Sequence, residues 1–527
     1  MNNLKKCSTP LRDLVKGLTN EEINSVRRYL NCFDEIFGNN KTKTANLFDL
    51  LISDEEMTQD EIISILYTNS SSVDAFEKLS IRLIEKIHEC LILDINVERK
   101  DVYPEFVKAT IDVRKKIMQA HILLGRGLSN ELENVYDKII VKAKKYELYS
   151  ELVEVSYLKQ IYLGLRKGKV EYEKLTAEIK FYEYCRDAVH KATDYYYRLI
   201  INNEFSSINV VDKKLLSESV DDLKEIYNYT KSANIGYYLH LLEFELFQIN
   251  GQQIEAKSVC HNLVDLIQDN PSIYMKRRLG SAFYNLAENE LYSYDFKSAG
   301  LHARLAQDYF NKNTSNHSAA RELEFYSFYY QGDLEKADLA INSLITETVV
   351  HSEFHDSKRS FLAANVAFLK KNKRVAKNLL DECKEIDKDK EGYNIGIRIL
   401  SIMNQIDGEV MDIAQNQIES MRKHIERTMK MKEVRGRDIT ILRILNELVN
   451  QSFDFETVWK SRKHLFDLLA SEDEDQKWDI KGHELVIFQE WFKARANQSE
   501  YPVAIQKPTI TATKEEPTVT LKKVAGK

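Results

Sequence analysis

The sequence predicts an all-α protein: a small helical module followed by a long α-solenoid of helix pairs. Three observations carry that prediction. The 527 residues include only 17 Gly and 6 Pro, well below the usual shares of about 7% and 5%. Three of the prolines (Pro502, Pro508, Pro517) stand in the last 26 residues, so the body lacks the turn formers that many strand connections would need. Finally, the alanines of five short helical segments, Ala256, Ala299, Ala337, Ala376 and Ala414, are separated by 43, 38, 39 and 38 residues. A recurring unit of about 38 residues made of two helices marks a helical solenoid, and the small residue lets the two helices cross closely.

Taken in order, the elements begin with a module at 1–95. Thr19 and Glu22 have capping-box spacing, in which hydroxyl and carboxylate each satisfy a free amide of the first turn. Behind them Ile23, Val26, Leu30, Phe33 and Phe37 paint one apolar stripe at steps of three and four. Thr58 and Glu61 repeat the device ahead of Ile62, Ile65 and Leu66, and a longer helix after Ser70–Ser72 carries Phe76, Leu79, Leu83, Ile84, Ile87 and Leu91.

Residues 100–235 read as degenerate helical repeats. Pro104 suits a first helical turn, and Gly125 and Gly127 suit its end. Further helices are expected at about 130–147 and 148–166. A tyrosine-rich tract from Val170 to Ile201 contains no breaker, so one extended helix or a packed pair would fit it. Residues 236–430 hold the regular repeats. Residues 431–497 are expected to form a helical cap whose last helix bears Leu485, Ile487, Phe488, Trp491 and Phe492, since a stack must shield its end. Residues 498–527, with three prolines and no helical stripe, are expected to be a flexible tail.

The segment RRLGSAFYNLAENELYSYDFKSAGLHARLAQDYF places Phe283, Leu286, Ala287, Phe296, Ala299, Ala303 and Ala306 at alternating large and small packing positions. The following unit has a Gly-Asp turn at Gly332 and Asp333, then Leu334, Ala337, Ile341 and Leu344, and the stretch around Ala376 keeps Ala364 and Leu380. In these features the chain resembles the tetratricopeptide-repeat family, in the manner of long bacterial proteins of that type, although Glu290 replaces the family's usual aromatic residue. The resemblance implies a right-handed solenoid of antiparallel helix pairs with a concave binding face. In that register Tyr284, Glu288, Tyr326, Tyr329, Tyr330, Asn365 and Phe368 would line the concave helices. Tyrosine suits a peptide-binding lining because it offers apolar area with a polar tip. Tyr284 and Glu288 occupy positions where some family members place a carboxylate-clamping lysine and asparagine, so recognition of free C-termini by that clamp is not expected.

Composition excludes several classes. The net charge of −7 argues against nucleic-acid binding by the whole molecule. No uncharged apolar run approaches the roughly 18–20 residues of a membrane span, and the start of the chain has no apolar signal core. The six cysteines are scattered without C-x-x-C pairs, as in a reducing compartment. A cytoplasmic protein is expected.

Searching for chemistry yields little. GLRKGKV at 164–170 and LGRGLSNE at 124–131 lack phosphate-loop spacing and context, and read as helix turns. His351 and His355 stand four apart, but Ser352 takes the place where a zinc hydrolase carries its glutamate, so no metal site is expected. Cys260 and His261 point to different sides of a helix and do not form a nucleophile and base. No cofactor motif occurs, and no enzyme is expected. Residues 422–437 carry Arg422, Lys423, Arg427, Lys430, Lys432, Arg435 and Arg437 against two acids, which reads as a solvated helix end or a basic patch for an acidic partner.

The expectation that follows is a non-enzymatic scaffold or adaptor gripping a protein or peptide on its concave face. The alternative is a transcriptional or signalling regulator with residues 45–95 as a helix-turn-helix-like module, which loosely resembles winged-helix activator domains. Against that, residues 51–95 contain ten acids and three bases, a charge that repels phosphates.

Overall fold

A computed structural model describes residues 9–32, 42–53, 57–67, 73–93, 103–128, 131–205, 212–346, 353–386, 389, 392–429, 434–473 and 475–505. Among the described residues every regular element is a helix, and the chain divides into two compact units, Met1–Tyr103 and Pro104–Lys527.

The first unit comprises α1 (Thr9–Lys16), α2 (Asn20–Asn31), α3 (Lys43–Ser53), α4 (Gln59–Leu66) and α5 (Val73–Leu93). Both capping boxes form: Thr19 and Thr58 accept from the amides of Glu22 and Glu61, whose carboxylates accept from the cap amides at 2.7 Å. The core joins Leu11, Val26, Leu30, Leu47, Phe48, Ile62, Phe76, Leu83 and Ile87. Ile65 departs from the expected stripe and is 52% exposed, because the phase of α4 turns Ile63 inward in its place. Phe33 and Phe37 lie outside the described residues.

The second unit opens with α6 (Glu105–Gly125), α7 (Leu132–Lys145), α8 (Tyr149–Lys167) and α9 (Lys169–Phe205). The tyrosine-rich tract is thus one helix of 37 residues. It continues through α10 (Lys213–Thr230) and α11 (Ala233–Ile249), where Glu147, in the turn before α8, crosses a long sequence interval to cap α11. Its carboxylate accepts from the backbone amides of Ala233 and Asn234 at 2.8 and 3.1 Å and from the Ser232 hydroxyl at 2.7 Å. These are the free donors of a first helical turn.

The regular part follows: α12 (Gln253–Asp269), α13 (Lys276–Tyr292), α14 (Phe296–Tyr309), α15 (Ser315–Gln331), α16 (Leu334–Ile345), α17 (Glu353–Leu369), α18 (Lys373–Glu382), α19 (Tyr393–Asp407) and α20 (Met411–Met429). Each helix packs on the next; α13 also touches α15, α17 touches α19, and Tyr326 of α15 meets Tyr393 of α19, which strings these odd-numbered helices into a row. The five aligned alanines are each the fourth residue of an even-numbered helix and are 0–1% exposed.

The turns repeat as strictly as the alanines. Two residues before α12, α14, α16, α18 and α20 stand Gly251, Tyr294, Gly332, Lys371 and Glu409, all with positive φ between 59° and 79°. At each turn that residue donates to a carbonyl three back, and the next residue donates to one five back, as in Gly332 to Tyr329 and Asp333 to Phe328. This closes the preceding helix with a left-handed cap and satisfies its last carbonyls. Glu290, the residue that replaces an aromatic, is 1% exposed, and Lys257 and His302 bind its carboxylate at 2.8 and 2.6 Å.

Beyond α20 lie α21 (Gly436–Asn450), α22 (Phe455–Ser461), α23 (Lys463–Leu469) and α24 (Phe488–Ala496). The last helix begins at Phe488, three residues later than its apolar pattern suggests. Leu485 and Val486 are buried in the non-helical stretch before it.

Candidate functional site

After α23 the described residues 470–473 and 475–487 form no helix, and the stretch from 475 lies across the row of odd-numbered helices, on the face expected to be open. On α13, Glu288 pairs with the Lys481 ammonium, which stands 5.9 Å from the Tyr284 ring centroid, and the Tyr292 hydroxyl donates to Asp479 at 3.4 Å. On α15, the Tyr330 hydroxyl donates to the carbonyl of Ile480 at 2.5 Å, and its ring meets the Trp478 ring edge to face at 5.9 Å. Trp478 in turn donates through Nε1 to the carbonyl of Glu484 at 2.8 Å, which folds the stretch on itself.

The far end is held by α19 and α21. A side chain at Gly396 would place its Cβ 2.3 Å from the carbonyl oxygen of His483, and one at Gly436 would sit 2.1 Å from the Asp475 carboxylate. At Gly396 the obstacle is backbone, so only glycine permits that approach, whereas at Gly436 the Asp475 side chain would have to move aside. Arg437 forms a two-pronged pair with Glu484 at 2.6 and 2.9 Å, also donates to the carbonyls of Leu469 and Gln476, and is 4% exposed. His483 Nε2 meets Asp438 at 2.9 Å, with both residues buried. In α24, Phe492 packs on Phe455 and Phe466 at 4.7 and 4.9 Å between ring centroids, and Trp491 Nε1 donates to Asp407 at 3.3 Å. Residues 498–505, expected to belong to a flexible tail, are instead seated: Tyr501 accepts from the Ile487 amide, and Ile505 donates to the carbonyl of Tyr330 at 3.0 Å. Residues 506–527 lie outside the described residues.

Of the expected lining residues, Tyr284, Glu288 and Tyr330 therefore meet this stretch, and Tyr326, Tyr329, Asn365 and Phe368 are buried. Tyr326, Tyr329 and Tyr330 are 1–2% exposed, and burial holds their hydroxyls well above the ordinary tyrosine range. Asn365 turns its amide back to the carbonyl of Phe361 inside α17, and Phe368 is buried. Tyr284 and Glu288 are half-buried beside Lys481. An apolar stripe of this size is costly to leave in water, and the chain supplies its own cover.

The basic patch is corrected in the same way. Arg437 points inward to Glu484, Arg422 is paired with Glu419 at 2.7 Å and also bonds Glu426, and Lys423 stands 3.5 Å from Glu419. Arg427 donates to the carbonyl of Lys423, and Arg435 is the exposed N-cap residue of α21. Lys430 and Lys432 lie outside the described residues. Among the described basic residues, Arg437, Arg422 and Lys423 are thus paired with acids, while Arg435 stays exposed. Counting charge along a helix overlooks the phase that turns one arginine inside.

Of the residues that build the seat, sequence reading missed Lys481, His483, Glu484 and Arg437 as partners. One local signal existed in Gly396, a glycine inside a helix, where it costs stability relative to alanine and points to a packing reason. Cys260 is buried and His261 exposed, as expected. Burial raises the Cys185 thiol to about 11 and the Cys383 thiol to about 12, so both stay protonated at neutral pH. His351 lies outside the described residues. Among the described residues no group of three or more His, Cys, Asp and Glu side chains is placed to share a metal ion, and no helix is long and apolar enough to cross a membrane.

Compared with protein-family models, curated proteins and solved structures, the chain has no match.

Proposed function

We propose that the second unit is a right-handed solenoid of antiparallel, tetratricopeptide-like helix pairs, and that the protein is a non-enzymatic cytoplasmic scaffold or adaptor. Its binding face is the row of odd-numbered helices, and its ligand is a non-helical segment of another protein. The observation that carries this reading is the seating of residues 476–487. The row bonds a non-helical stretch through its backbone, from Tyr330 to Ile480, and through complementary charges, at Glu288 and Arg437. Backbone bonds hold an extended peptide and side-chain pockets select it, as in peptide recognition generally.

The test is a photo-crosslinking amino acid introduced into the full chain in cells, either at Tyr284 on α13 or at Leu339, which is 73% exposed on α16. A discrete protein adduct is expected from position 284 and none from 339. Equal adducts from both positions, or adducts from 339 alone, would remove the odd-numbered row as the binding face.

A further inference from the structure

We infer that residues 476–487 are a built-in ligand, and that a partner segment of the same chemistry takes their place by exchange: a non-helical stretch, turned at its centre as Gly482 turns back to Asp479, with a lysine three residues ahead of a glutamate. This rests on the proposed binding face and specifies what that face selects.

Three observations support separability and selectivity. The stretch is a loop between two packed elements: α23 packs on α21, and α24 packs on α22 through the Phe492 aromatic cluster, while Glu484 of the loop accepts from the first-turn amide of α24 at Phe488. In the inferred exchange the centre of the loop lifts while those two helix contacts stay, and the incoming carboxylate takes over both partners of Glu484. The face is also cut for a backbone. Gly396 lies within α19, where glycine costs about 1 kcal/mol relative to alanine, and the group that would strike its Cβ is the His483 carbonyl of the loop. Finally, the seat presents opposite charges at its two ends, Glu288 and Arg437.

Arg437 makes the process an exchange. A guanidinium that is 4% exposed is strongly disfavoured without its acid, so the loop leaves only as another carboxylate arrives. An occupant lacking the glutamate gains the apolar contacts but leaves that charge unpaired, which sets the discrimination.

The probe is a fluorescently labelled synthetic peptide of residues 476–487, titrated by anisotropy into the full chain. Lys481→Glu opposes Glu288 with like charge and loosens the built-in loop while leaving the row intact. Trp478→Ala removes the loop's closing bond and gives an independent loosened chain. Both loosened chains are expected to bind the peptide at least tenfold more tightly than the unaltered chain, and the same peptide carrying Glu484→Gln is expected to lose at least tenfold. Adding Gly396→Ala to either loosened chain should return binding to the level of the unaltered chain. Equal affinity of loosened and unaltered chains, no saturable binding by any of them, or equal binding of the two peptides would overturn the inference. Such a result alongside adducts from position 284 would leave the binding face standing and remove only the exchange. Tight, glutamate-dependent peptide binding without adducts would do the reverse.

Discussion

Replacing Glu484 with alanine is expected to destabilise the C-terminal part of the second unit by about 3–5 kcal/mol, the range for stripping one partner from a buried ion pair. The cause is what remains: Arg437, 4% exposed, keeps its bonds to the carbonyls of Leu469 and Gln476 and loses its counter-charge. Glu484 also accepts from the Phe488 amide at 2.7 Å, so α24 loses a first-turn partner at the same time. All three tryptophans (Trp459, Trp478, Trp491) stand in this part of the chain, and their fluorescence during urea unfolding reads the loss. Glu484→Gln should cost less because the amide oxygen still accepts. Replacing the pair together, Arg437→Met with Glu484→Leu, should recover most of the loss, since no charge is left stranded. A shift below about 0.5 kcal/mol for Glu484→Ala, the size of an ordinary surface change, would show that the pair does not hold the segment.

The second large effect is a pH dependence centred on Glu245 of α11. Burial, with the nearby Glu288 carboxylate as a lesser cause, raises its carboxyl to about 7. An acid whose folded pKa lies above its unfolded value keeps its proton in the folded state while the unfolded chain releases it. Stability from this group is therefore present in full below the unfolded value of about 4.3 and is lost as pH rises through 7. From the size of the shift the loss is on the order of 3 kcal/mol. Urea midpoints at pH 4 and pH 8 check the sign: Glu245→Gln should gain on the unaltered chain at pH 8 and come close to it at pH 4. A variant with the same difference at both values would remove Glu245 as the source.

Much of the repeat was legible because its determinants are local. An alanine at the fourth position of a helix recurs wherever two helices cross closely, and Gly332 with Asp333 announces its turn. The other turns were less visible because Tyr294, Lys371 and Glu409 adopt the same left-handed cap without glycine. Their conformation is fixed by the packing on either side rather than by their own preference.

Tyr326, Tyr329 and Tyr330 were expected to line an open concave face, and their burial at 1–2% exposure was not legible. Tyr330 meets Ile480 across 150 positions and Lys481 meets Glu288 across 193. No periodicity links such residues, because the pairing depends on where the stack brings the chain after nine helices of the regular part. Leu485 and Ile487 were read as one helical stripe with Phe488, Trp491 and Phe492 since apolar spacing alone does not separate a non-helical stretch from the helix it enters.

The central claim is that the row of odd-numbered helices holds the chain's own residues 476–505, and amide hydrogen exchange of the unaltered full chain measures it directly. Four amides report on the seat: Arg437 bonded to Asp475, Ile487 bonded to Tyr501, Phe488 bonded to Glu484, and Ile505 bonded to Tyr330. The account predicts that peptides covering Ile487, Phe488 and Ile505 exchange slowly, in step with α15. Exchange of those peptides at the rate of an unstructured chain, while α13 and α15 stay protected, would contradict it.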